Sequence, residues 1–481
     1  MIIRWVCENC NKRWIYPIEK CVYCKGDITK QKGTKIKVIG VTKVFIPSPM
    51  HPIVPYNILL LQDEFGNRLP KKTMKEYRIG DTYTEQKAKT KDAVAVVKVK
   101  YDICEAIKEA TELLNSFELE PEDKILIKPS IITAAYSYQA VNTNPDFLNA
   151  LLSILFELGV KKDNVIVAEQ ALIGSDVIDA ASKAGILEIC KKHDVKFVDI
   201  SKGPFEEIDL DGYTFNIFKE ALSRKVINTP IMKTNFQFVI SGAMENLSRL
   251  VDEKTQRQMY YDDIDKALPK LVKAIPNAFT IADATNGMQG QGPLALGEPA
   301  FLNLIFASKN AEALDTVFCE VTMLQTPRYI ADNNFNKKIE VVGNEIDALK
   351  YPIKAPVANE TAHPDIKVID GKACPACLSI MYNLTSKLVG LRGEQINLVI
   401  GSVLTEDMLK GKERLVALGE CAIKKLEELK IESIAKIPEN IDEVEQLVLL
   451  KKLLVTEGTP KITPVDKVKS KMKKLLSKVI S

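Results

Sequence analysis

Histidine and tryptophan are scarce in this chain, with three His and two Trp in 481 residues. None of the histidines adjoins a cysteine group, so imidazole is not at hand to complete a thiolate site. Scarcity of both, set against abundant Lys and Glu, gives a thermophile-like, archaeal-type composition. Long apolar runs are also missing: no stretch reaches the roughly 18 to 20 residues that a membrane span needs. The start MIIRWVCENC lacks the apolar core of a signal peptide, so a cytoplasmic protein is expected. Net charge is only +3, with a pI near 8.1. No whole-chain basic field therefore argues for nucleic acid. Internal repeats and low-complexity blocks are absent too.

What is present is soluble globular protein, 46% hydrophobic and 27% charged, too long for one core. Five segments are expected: a ribbon at 1–30, a β-barrel at 31–88, a central α/β domain at 95–350, a smaller α/β domain at 360–455, and a basic amphipathic tail at 456–481. The fold class is thus α/β with a small β part at the start. Barrel strands are read in KIKVIGVTKVF, PYNILLLQDEFGNRL and MKEYRIGDTY, which alternate β-branched and polar residues, with a hairpin turn at 64–67. Parallel strands separated by helices are read at 124–128, 164–169, 195–200, 236–241 and 279–283. A shorter alternation follows, with strands at 366–370, 396–401 and 414–419 and helices near 377–390 and 421–430.

Ten cysteines in a reducing compartment are read as metal ligands, redox thiols or packed small residues rather than disulfides. Cys7, Cys10, Cys21 and Cys24 form two CxxC knuckles ten residues apart, the pattern of a closed tetrahedral zinc site in a rubredoxin-like ribbon. A segment this short has little core, so the bound metal is expected to supply much of its folding free energy. Iron in the same site is the competing reading.

Cys374, Cys377 and Cys421 each follow a strand and open a helix, which places them on one edge of one sheet. A second metal centre on these three is expected, a [4Fe-4S] cluster with one iron open; zinc, a CysProAlaCys redox pair and Cys319 as a fourth ligand are the alternatives. In the larger alternation Lys128, Glu169 and Asp283 fall at or just past strand ends, and Lys233 in a loop after VINTP. Ligands sit there in open parallel sheets, and two lysines with two carboxylates suit an anionic substrate and proton transfer; helix capping and solvated ion pairs are the competing reading. Gly287, Gly290 and Gly292 read as a candidate phosphate cradle, although their spacing matches neither GxxxxGK[ST] nor GxGxxG.

Two resemblances add to this. The ribbon cysteines, Pro55 and Tyr56, the turn around Asp63 and Gly66, and IleGlyAsp at 79–81 resemble domain of unknown function 35. That resemblance implies an oligonucleotide/oligosaccharide-binding (OB) barrel, acyl-coenzyme A as ligand and a thiolase-like enzyme as partner. LeuIleLysProSer at 126–130, AsnThrAsnPro at 142–145, ProIleMetLysThr at 230–234, GluAsnLeu at 245–247, the run from Asp283 to Pro293, and AlaLeuAsp at 313–315 resemble domain of unknown function 362. Glu245 stands where members of that family often carry lysine. The expected function is an enzyme, a lyase or hydro-lyase or an acyl-thioester enzyme, acting on a small carboxylated or acyl-coenzyme A substrate. A non-catalytic scaffold between thiolase-like enzymes is the alternative, and a nucleic-acid-binding barrel ranks below it. An oligomer is compatible with the sequence.

Overall fold

The computed structural model describes residues 1–455 except 116–117, 174, 276–277, 295, 332–337, 358–362 and 440. The expected tail at 456–481 lies outside the described residues. The chain divides into two compact units. One comprises Met1–Gln170, Val177–Val251 and Leu268–Pro356; the other comprises Ala171–Asp176, Asp252–Ala267 and Val357–Ser481.

In the first unit, strands β1 (Ile2–Cys7), β2 (Arg13–Trp14) and β3 (Ile28–Gly33) form a small antiparallel sheet. Strands β4 (Ile36–Val44), β5 (Tyr56–Gln62), β6 (Arg68–Thr73) and β7 (Thr82–Tyr83) form a second antiparallel sheet in the order β6-β5-β4-β7. Its inward residues Ile36, Val38, Leu59 and Leu61 alternate with more exposed ones such as Lys37 and Leu60 and pack with Ile2 and Tyr83. The hairpin expected at 64–67 is there: Asp63 Oδ1 accepts the amides of Phe65 and Asn67 and closes the turn. This sheet is a half-barrel whose edges are β6 and β7, in the place where the sequence predicts a small antiparallel barrel.

Strands β8 to β11 (Val94–Lys98, Ile125–Pro129, Val165–Glu169 and Lys196–Asp199) come next. They are followed by the hairpin β12 (Phe205–Leu210) and β13 (Tyr213–Phe218). Then come β14 (Lys225–Thr229), β15 (Ile231–Asn235), β16 (Val239–Ser241), β17 (Ala278–Gly290), β18 (Gly297–Pro299), β19 (Leu304–Ser308) and β20 (Val341–Gly343). The large sheet runs β11-β10-β9-β14-β17-β19-β8-β20, parallel from β11 to β17 and antiparallel on both sides of β19. The sheet is therefore mostly parallel, as the strand and helix alternation predicts, with antiparallel pairing only around β19 along this order. Central strands such as Ile125–Pro129 and Val165–Glu169 are buried throughout, as strands covered on both faces must be. Helix Pro145–Glu157 contributes Phe147, Leu148, Leu151 and Leu155 to the core. Asn144 caps it and Pro145 opens it.

The expected strand at 236–241 is only the three-residue β16, antiparallel to β15. On the side of β9 away from β10 the parallel partner is β14, which carries the VINT of VINTP.

The second unit has a four-stranded parallel sheet, β21 (Ile366–Gly371), β22 (Ile396–Gly401), β23 (Leu415–Leu418) and β24 (Ala435–Ile437), paired in that order. Helices Pro375–Ser386 and Glu420–Glu428 follow β21 and β23. The order and type of the first three strands are those read from the sequence.

Candidate functional site

The four ribbon cysteines converge. Their sulfurs all lie within 4.8 Å of one another, with Cys7 Sγ 3.4 Å from Cys24 Sγ and Cys10 Sγ 3.6 Å from Cys21 Sγ. The two knuckles share one backbone design. The amide of Asn11 donates to the Cys7 carbonyl and that of Lys25 to the Cys21 carbonyl, and both donors have positive φ, 55° and 60°. Such a turn points the sulfurs of each pair inward. The Cys24 amide also donates to Cys21 Sγ at 3.5 Å. Against the effect of burial, it and the Tyr23 amide draw the Cys21 thiol down to about 6. Thiolate is the form a metal takes, so the donor set fits one tetrahedral ion and leaves no open position.

At the carboxyl ends of β9 and β10 the structure joins Lys128 and Glu169. Lys128 Nζ donates to Glu169 Oε2 at 2.5 Å and to the Pro129 carbonyl at 3.0 Å. Glu169 also accepts the amides of Ile131 at 3.2 Å and Gln170 at 2.8 Å. Neither side chain has any exposure. Burial drives Lys128 down and Glu169 up, each opposed by the partner's charge.

Lys233 joins this pair, from strand β15 rather than from the expected loop. Its ammonium donates to the Val141 carbonyl at 2.7 Å and to Ser130 Oγ at 3.2 Å. Burial brings it down to about 7, despite Glu245 and Glu169.

Asp283 does not join them. Strand β17 continues seven residues beyond it to Gly290, so Asp283 is an interior position. Its carboxylate accepts the Thr285 amide and hydroxyl at 2.9 and 2.6 Å. Burial raises it, and the opposing influences are hydrogen bonds from Thr285 and the Asn144 amide, not a lysine.

Sequence reasoning missed Arg249 and gave Glu245 no role. Both act on Lys128 and Lys233 electrostatically, although they come from the short helical turns Ala243–Leu247 and Ser248–Leu250. Asn246 between them donates to the Lys128 and Pro129 carbonyls. The cluster thus sets the basic groups Lys128, Lys233 and Arg249 beside the carboxylates Glu169 and Glu245. Arg249 is 7% exposed, and its Nη1 makes no hydrogen bond. Also missed was Asp315, fully buried, whose carboxylate accepts the Ala243 and Met244 amides at 2.6 and 3.0 Å and so fixes the turn that carries Glu245. Burial raises it to about 7. Gly242 permits this approach, since a Cβ there would lie 2.1 Å from Asp315 Oδ1. AlaLeuAsp at 313–315 was the available signal.

The glycine cradle is corrected. Gly287 and Gly290 belong to β17, which pairs with β18 as a hairpin. The Gly290 amide donates to the Lys354 carbonyl and the Gly292 amide to the Gly290 carbonyl. These amides are taken by the chain itself, so they form no nest for phosphate.

In the second unit Cys374 caps the helix Pro375–Ser386 and Cys377 sits in its first turn, while Cys421 lies in the first turn of Glu420–Glu428. Both helices start at carboxyl ends of strands in one sheet, as the pattern predicts. The charge of Cys421 reaches Cys377, and a Cβ on Gly419 would come 2.4 Å from Cys377 Sγ. That contact, with its φ of +85°, explains a glycine there. Among the described residues only the ribbon cysteines bring three or more such ligand atoms within 4.8 Å of one another. Arg257 Nη1 donates to Cys374 Sγ at 3.6 Å, and the Tyr261 hydroxyl lies 2.6 Å from Cys421 Sγ. Hydrogen bonding from Cys377 leads the influences that lower the Cys374 thiol to about 6; the amides opening the helix and Arg257 add to it. Cys319 belongs to helix Ala311–Thr322 of the first unit, and burial pushes its thiol up, the mark of a packed sulfur.

Fold and sites define an α/β protein with a small β start that can bind metal through a four-cysteine ribbon. Residues 125–320 match the family model described as domain of unknown function (DUF362). Thylakoid-associated protein sll1697 of Synechocystis sp. (strain ATCC 27184 / PCC 6803 / Kazusa) is 25% identical over 214 residues, 43% of this chain and 65% of that protein. The chain thus spans about two-thirds of its relative. Of solved structures, "Ltp2-ChsH2(DUF35) aldolase" is similar at 19% identity over 16% of this chain and 66% of that one, with a TM-score of 0.14. Among the described residues no helix is long and apolar enough to cross a membrane.

Proposed function

We propose that the protein is a metal-dependent enzyme acting on a small carboxylated or acyl-thioester substrate. The observation that carries this reading is the buried Arg249 Nη1, which has no hydrogen-bond partner among the described residues and lies within electrostatic reach of Lys128 and Lys233. A carboxylate is a group that supplies the missing acceptor. In this reading Lys233, with an amine near neutrality, gives or takes the proton, Lys128 and Arg249 hold the anion, and Glu169 fixes Lys128. All are buried, so substrate entry requires the short turns around Ala243–Leu250 to move.

The ribbon takes zinc, and Cys374, Cys377 and Cys421 take a [4Fe-4S] cluster. An iron left without a thiolate would serve as a Lewis acid toward a substrate carboxylate or hydroxyl. Arg257 and Tyr261 hydrogen-bond the sulfurs, which stabilises thiolate charge and tunes the centre. Anaerobically isolated protein should be brown, absorb broadly near about 400 nm, and contain iron and sulfide that a Cys377→Ser variant loses. Colourless protein with neither element after anaerobic reconstitution refutes the cluster. Resemblance of the first 85 residues to acyl-coenzyme A-associated modules favours coenzyme A thioesters as substrates. Calorimetry with acetyl-coenzyme A, with and without a thiolase-like partner, tests that part, and silence in both titrations favours the scaffold alternative.

A further inference from the structure

The open four-stranded sheet and the α/β body of the first unit flank a cleft of about 1050 Å³, at the upper end of the size range of organic-ligand sites. One wall comes from β6 and the segment after it, with Lys71, Met74 and Tyr77; Tyr83 adds a second ring 5.9 Å from that of Tyr77. The opposite wall comes from helix Ala311–Thr322, through Val317, and from residues 341–347.

The carboxylates of the cleft are already occupied. Glu345 accepts the Thr73 hydroxyl at 2.8 Å and the Met74 amide at 2.5 Å. Asp347 and Glu320 pair with Lys350 at 2.7 and 3.8 Å. Glu85 is shared among Lys100, the Met1 amine and Lys71, which together hold it below the ordinary carboxylate range against the effect of burial. Lys71 is left short. It is only 9% exposed, and among the described residues its amine makes no hydrogen bond and has a long ion pair to Glu85 at 3.7 Å and the Tyr83 ring at 5.8 Å. A buried ammonium with three unmet donors is costly unless an acceptor arrives.

We propose that this cleft is a binding site for a small organic anion, whose carboxylate or phosphate head is taken by Lys71 and whose apolar or aromatic body lies along Tyr77, Tyr83 and Val317. The volume exceeds that of an inorganic anion, and the aromatic wall has no use for one. This site is separate from both the strand-end cations and the cysteine centre, and rests on neither.

The test is calorimetric titration of the full chain with phenyl phosphate, phenylacetate and the neutral benzyl alcohol. The expected result is saturable binding of at least one anion at sub-millimolar Kd, with none for the alcohol; whichever anion binds identifies the head group. Lys71→Met should weaken that binding at least tenfold, while Lys72→Met, whose amine already sits over the Tyr56 ring and beside His51, changes it less than threefold. Should Lys71→Met fail to fold, peptide mapping of the wild type after amine acylation decides, since saturating anion should protect Lys71 from the reagent. No binding by either anion, equal binding by Lys71→Met, or equal labelling of Lys71 with and without anion would each overturn the proposal.

Discussion

Replacing Lys128 by Met removes one partner of a fully buried ion pair and leaves the other. At 2.5 Å the attraction between Lys128 and Glu169 is roughly 7 kcal/mol for an effective dielectric of about 20. Glu169 keeps the Ile131 and Gln170 amides, and Pro129 keeps Asn246 as donor, so part of the loss is recovered. Broken buried pairs of this kind cost about 3–5 kcal/mol. Adding Glu169→Gln should return much of that, because the amide oxygen still accepts a backbone N–H and the carboxylate that lost its partner is gone. The double variant should therefore lie within about 1–2 kcal/mol of wild type. The assay is scanning calorimetry of wild type, both single variants and the double at pH 5 and pH 8. Lys128→Met should lower the transition by about 6–10 °C, at roughly 2 °C per kcal/mol for a large unit. Its deficit should grow from pH 5 to pH 8. Burial already raises Glu169, and without Lys128 it rises further, so its stabilising proton is present at low pH and lost as pH rises through the folded value. A double variant as unstable as the two single losses added together would show that the pair is not energetically coupled, and would sink the reasoning.

Two further outcomes are expected. Cys7→Ser should abolish the tightly held zinc, about one per chain in wild type by elemental analysis, and unfold the first sheet, while the α/β body persists; unchanged metal content and unfolding temperature would refute the ribbon site. Lys233, lowered by burial to about 7, contributes stability that is fully present above its unfolded value near 10.5 and is lost as pH falls toward 7. Wild type should therefore gain stability between about pH 7 and 10 relative to Lys233→Met; parallel pH profiles would place Lys233 at its ordinary value.

Local pattern alone determined the cysteine knuckles, the hairpin at 64–67, and the strand-then-helix positions of Cys374, Cys377 and Cys421. In each case spacing within a few residues fixes the geometry, because a tight turn or a helix start is closed by its own backbone hydrogen bonds. Strand type was legible as well, since β-branched runs announce themselves. Strand partnership was not: β19 runs against its neighbours, β15 carries Lys233 where a loop was read, and β17 runs past Asp283 to Gly290. Pairing is chosen by burial against distant segments, and no short window of sequence contains that choice. For the same reason, only tertiary structure brought Arg249 and Glu245 onto the Lys128–Glu169 pair, separated Asp283 from it, and buried Lys71 in a cleft without a hydrogen-bond acceptor. A charged residue's type is written in the chain. Its chemistry is set by the water and countercharge the fold removes or supplies.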